Sequence, residues 1–88
     1  MPVTREMVAA RISAYLRGEQ GLADLVSWAE DAMREADFAD RDFTEIRDVV
    51  SRIGLADVAA FGLTWEDAVA MLSRLGYRAK VDIQAVSP

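Results

Sequence analysis

Nine carboxylates stand within 25 residues of one another: Asp24, Glu30, Asp31, Glu35, Asp37, Asp40, Asp42, Glu45 and Asp48. Only Arg34, Arg41 and Arg47 oppose them, so residues 24–48 carry a net charge of −6 in a chain whose total is −5. Acids at this density supply three kinds of chemistry: binding of a hard cation, proton transfer between paired carboxyls, and recognition of a basic surface. The run DRDFTE from Asp40 begins with the alternation of an EF-hand loop. It departs from that loop where the loop is strict, with Glu45 in place of the turn Gly and Ser51 in place of the bidentate Glu. Asp31 and Glu35, four residues apart on a helix, approach closely enough for acid/base work, but one of them would need burial to raise its pKa. Their spacing places both opposite the apolar stripe of their helix, which leaves recognition of a basic partner as the role best matched to the block.

The rest of the composition narrows the chemistry further. There is no cysteine and no histidine, which removes thiol nucleophiles, disulfides, the commonest metal ligands and the usual general base. Lys80 is the single lysine. No nucleophile elbow, phosphate-cradling glycine loop or dinucleotide fingerprint occurs. The expectation is a protein that is not an enzyme, with no catalytic residue, no cofactor and no metal ligand. Nucleic acid is also disfavoured, because the acidic block repels phosphates. A helix-turn-helix over residues 42–75 would present Glu66 and Asp67 where its reading helix meets base edges.

These side chains must be held by helices. Thr4 is a suitable N-cap for a first helix running to about Arg17, with Gly18 as its stop; Val8, Ile12, Tyr15 and Leu16 share one face, with Met7 beside them. The glycine-bracketed turn GEQG at 18–21 is short enough to fold the next helix back antiparallel. A second helix over 22–36 carries a stripe of Leu22, Leu25, Val26, Ala29, Met33 and Ala36, and on its far side a ridge of Asp24, Asp31 and Glu35. Trp28 borders that ridge. Interfaces favour an aromatic beside charge, so Asp24, Trp28, Asp31 and Glu35 are the candidate partner-binding residues. As ordinary solvated helix faces, Glu30 and Arg34 in this helix, and Asp48 and Arg52 in the next, have the spacing of i, i+4 pairs.

After DFADRDF breaks the pattern, Asp42 and Glu45 have the spacing of a capping box for a third helix buried through Ile46, Val49, Val50 and Ile53. Gly54 ends it, with Leu55 expected to fold back on Val50. Residues 55–62, LADVAAFG, read as a short helix turned inward through Leu55, Val58 and Phe61. Thr64 and Asp67 repeat the capping-box spacing for a last helix, with Leu63 and Ala68 as a hydrophobic staple. Trp65, Ala68, Leu72 and Leu75 are its expected core face; Gly76 stops it in the left-handed conformation, and Tyr77 returns to Leu72. SRIGL at 51–55 parallels SRLGY at 73–77, as though one C-cap were used twice.

The final segment YRAKVDIQAVSP alternates apolar and polar residues with the period of a half-buried strand. No second period-two segment exists to pair with it. It is therefore expected either to lie over the helices as an extended arm, to pair with the same segment of a second subunit, or to wait as an open edge for a target strand. In a homodimer the pairing face would be Tyr77, Ala79, Val81 and Ile83.

The fold class expected is mainly α: one domain over residues 1–88, a compact bundle of four to five short helices with a C-terminal strand or arm at 77–86. With 52% hydrophobic residues the chain has the composition of a folded protein. No run reaches the roughly 18 apolar residues of a membrane span, and Arg5 interrupts the N-terminus, so the expectation is a cytoplasmic protein away from membranes. The runs YLRGEQGLADLVSWAED and GLTWEDAVAMLSRLGY resemble small acidic helical bacterial proteins, among which are immunity and antitoxin proteins that bind a toxin. The resemblance implies a helical bundle whose acidic face, here residues 24–37, occupies the basic site of a nuclease toxin. The leading functional expectation is a protein–protein interaction module that binds a basic partner. The alternatives are a carboxylate-based metal-binding protein or small enzyme, and a self-associating structural or regulatory subunit.

Overall fold

A computed structural model describes residues 2–35, 37–56 and 62–80. Four helices appear among them: α1 (Arg5–Leu16), α2 (Leu22–Glu35), α3 (Phe43–Gly54) and α4 (Trp65–Arg74). Thr4 Oγ1 accepts the Met7 N–H at 3.2 Å and so caps α1, satisfying one of the four amides a helix start leaves unpaired. The helix closes on Gly18 at φ +76°, where the Glu19 N–H reaches the Ala14 carbonyl at 2.9 Å and the Gly18 N–H reaches Tyr15 at 3.1 Å. This paired closure turns the chain within 17–21 and sends α2 back along α1.

The core draws on every helix. Val8 and Ile12 of α1, Leu25 and Ala29 of α2, Ile46, Val49, Val50 and Ile53 of α3, and Ala68, Met71 and Leu72 of α4 are buried together, with Tyr15, Leu16 and Trp28 packed at the margin. The α2–α3 pair is the most extensive helix contact. Two expected faces are rotated. On α2, Ala32 is buried whereas Met33 is 37% exposed; on α4, Met71 is buried beside Ala68 and Leu72, whereas Trp65, expected on the core face, is 43% exposed. Ala36 of the expected stripe lies outside the described residues, as do Val58 and Phe61 of the expected short helix, whose residues 57–61 are not described.

The helix ends also depart from expectation in part. Asp42 precedes α3 at φ +63° and makes no side-chain cap bond; its carboxylate instead lies 3.8 Å from Arg5 Nε. A left-handed residue aims its side chain away from the first turn, so the capping box expected of Asp42 and Glu45 does not form. At α4 it does: Thr64 Oγ1 accepts from the Asp67 N–H at 3.1 Å and Asp67 accepts from the Thr64 N–H at 3.0 Å. Gly76, at φ +91°, ends α4 with the Tyr77 N–H donating to Leu72 O at 2.8 Å. The parallel ending at Gly54 is different. Gly54 is the last helical residue, Leu55 is 44% exposed, and its N–H bonds the Arg52 carbonyl at 3.2 Å. The two similar runs therefore use two different caps.

Extended pairing occurs at the opposite end of the chain from where it was expected. Val3 and Phe38 form an isolated parallel bridge, with the Val3 N–H on Asp37 O at 2.7 Å and the Ala39 N–H on Val3 O at 2.9 Å. Residues 77–80 pair with no strand among the described residues, and the Tyr77 N–H is already committed to Leu72. The C-terminal strand is thus unsupported where it is described. Val81 and Ile83 of the expected pairing face lie outside the described residues. No described helix is long and apolar enough to cross a membrane.

Candidate acidic recognition groove

Antiparallel return of α2 along α1 leaves a shallow groove between them. Asp24, Ser27, Trp28 and Asp31 line it from α2, Arg11 and Ala14 from α1, and Glu19 and Gln20 from the turn that joins the two. Asp24, Trp28 and Asp31 fall at i, i+4 and i+7, so one helix face presents all three. Three of the four candidate partner-binding residues are thereby brought together, and Glu35 lies further along the same helix, exposed and outside the groove.

Trp28 has two contacts that fix it. Its half-buried ring packs against the core cluster, and the Arg11 guanidinium carbon lies 5.4 Å from its centroid, a cation–π arrangement. Arg11, Glu19 and Gln20 were not singled out from the sequence. The signal for them was the Gly18 and Gly21 turn, because a hairpin that short sets residues before it beside residues after it.

The acidic block divides by use. Asp31 holds Arg34 at 2.9 Å in an i, i+3 pair, in place of the Glu30 to Arg34 pair expected from spacing. Among the described residues Asp24 and Glu35 have no ion-pair partner. Further along, the acids serve the fold. Asp48 lies between Arg74 at 3.2 Å and Arg47 at 3.3 Å, and these bonds, Arg74 first, hold its carboxyl below the ordinary range. Arg52, expected opposite Asp48, instead reaches the Gly62 carbonyl at 3.0 Å and Asp67 at 3.3 Å. In the groove Asp31 and Glu19 hold only near neighbours in the chain, Arg34 and Arg17, while Asp42 and Asp48 tie α3 to α1 and α4 through Arg5 and Arg74.

Among the described residues no three carboxylates converge as a metal site requires. Asp24, Asp31 and Glu35 are all exposed. What the groove offers is negative charge around a fixed aromatic surface. The class defined by fold and site together is a small helical domain with an acidic groove. No family model, no curated protein and no solved structure matches the chain.

Proposed function

We propose that this protein is a protein–protein interaction module that is not an enzyme, and that it captures a basic partner through the α1–α2 groove. The observation that carries the reading is the placement of Trp28 between Asp24 and Asp31 on one helix face, with Glu19 closing the end of the groove. Aromatic side chains beside charge supply desolvated contact area, while the surrounding carboxylates steer a cationic surface and reject an anionic one. Trp28 is held in place by the core before any partner arrives, which lowers the entropic cost of binding. The resemblance to acidic immunity proteins makes a nucleic-acid-binding or nucleic-acid-cleaving protein the kind of partner this surface fits, since such proteins carry basic phosphate-binding sites.

The test is a pull-down with the intact chain as bait, read by quantitative mass spectrometry beside two variants: Asp24→Asn/Asp31→Asn/Glu35→Gln and Trp28→Ala. A basic protein retained by the wild-type bait should be depleted about tenfold or more by each variant, while the triple variant keeps its melting temperature. A captured set that is the same for all three baits would sink the proposal.

A further inference from the structure

We propose that a second cleft, between the C-terminal end of α1, helix α4 and residues 77–80, binds an organic anion with a flat aromatic body. Its volume is about 500 Å³, within the range of sites that enclose small ligands, and it shares no lining residue with the acidic groove. Leu16, Leu72, Trp65 and Tyr77 supply an apolar and aromatic lining. Trp65 and Tyr77 are 43% and 38% exposed. Two exposed aromatics meeting at one concavity give a ring-shaped body large faces to cover.

The charge of this cleft runs against the charge of the molecule. Arg17, Arg78 and Lys80 line it, and no described carboxylate does, in a chain with fifteen acids and ten bases. Arg17 is already held by Glu19 at 2.9 Å and follows the end of α1, where a cation also offsets the helix dipole. Arg78 and Lys80 have no ion-pair partner among the described residues. They are the cations left for a ligand. The wall that carries them is set by the α4 closure: Gly76 reverses the chain at φ +91°, and the Tyr77 N–H bond to Leu72 O at 2.8 Å fixes the start of 77–80 against α4. Apolar lining and unpaired cations together select an amphiphilic anion over a neutral ring or a bare inorganic anion.

The probes are 2-naphthoate, its neutral counterpart 2-naphthamide, and inorganic phosphate, titrated into the full chain carrying Trp28→Phe so that Trp65 is the sole tryptophan. Naphthoate should change Trp65 emission saturably, with naphthamide and phosphate binding at least about fivefold more weakly. Adding Arg78→Ala/Lys80→Ala should weaken naphthoate by roughly fivefold, the scale of two exposed ion pairs, and leave naphthamide unchanged. In the unsubstituted chain, naphthoate should move amide resonances at 13–17, in α4 and at 77–80. Equal binding of naphthoate and naphthamide, unchanged affinity in the double variant, absence of saturation, or shifts centred on Trp28 would each overturn the proposal.

Discussion

Asp67 accepts the Thr64 N–H, returns its own N–H to the Thr64 hydroxyl, and lies 3.3 Å from Arg52 on α3. The Thr64 backbone bond, then the Thr64 side-chain bond, holds its carboxyl below the ordinary range, and Arg52 adds to the effect. Asp48 is lowered in the same direction by Arg74 and Arg47. A carboxylate depressed in the folded state contributes stability that is fully present above the unfolded value and disappears as pH falls through the folded one. Thermal melts should therefore be level above about pH 5 and decline below about pH 4. Asp67→Asn should give a shallower acid decline than wild type, whereas an identical decline would show that the cap is not linked to protonation. The Thr64–Asp67 box was legible because both partners lie within one turn, so local geometry alone brings them together. The same spacing at Asp42 misled, because the chain reaches α3 from the Val3–Phe38 bridge in a left-handed turn that aims the carboxylate at Arg5 instead.

Helix α2 shows what periodicity supplies and where it stops. Its length, its acidic ridge and most of its apolar stripe follow from spacing, yet the buried arc is centred on Leu25, Ala29 and Ala32, with Met33 outside it. An alanine and a methionine one step apart both fit a hydrophobic stripe, and hydrophobicity favours the larger one. Close packing of α2 against α3 favours the smaller, since a short side chain lets the two backbones approach. Ala32→Gln should accordingly lower stability by about 1–3 kcal/mol through overpacking. Met33→Gln should stay within about 1 kcal/mol of wild type. Chemical denaturation of the two variants checks this, and a reversed order would restore the stripe read from spacing. The endings of α3 and α4 carry the same lesson. Gly76 takes the left-handed turn and Gly54 does not, although the local runs match, because the bonding at each end depends on where the following segment must go.

At the scale of the molecule, the N-terminus is fastened to the α2–α3 connection. Val3 exchanges two backbone bonds with 37–39, Phe38 is buried, and its ring meets Phe43 edge-on with centroids 5.9 Å apart. Phe38→Ala should cost about 3–5 kcal/mol, a large part of the roughly 5–15 kcal/mol that such a domain holds. Hydrogen exchange at the Val3 and Ala39 amides should rise in that variant more than exchange at α4 amides. Equal acceleration everywhere would mean that the bridge has no local role. Nothing in the alternation of residues marks Val3 and Phe38 as partners, because a single bridge has no period and its two members are far apart in sequence. Composition and spacing were enough for the helical class, for α1, α2 and the α4 capping box, and for the acidic face with Trp28 beside it, since these depend on residues within a turn or two of one another. Assembly of the helices was needed to bring Arg11 over Trp28, to separate acids that tie helices together from acids that face solvent, and to collect Arg17, Arg78 and Lys80 around one cleft. Those contacts join residues remote in the chain, and packing of the shared core sets their distances.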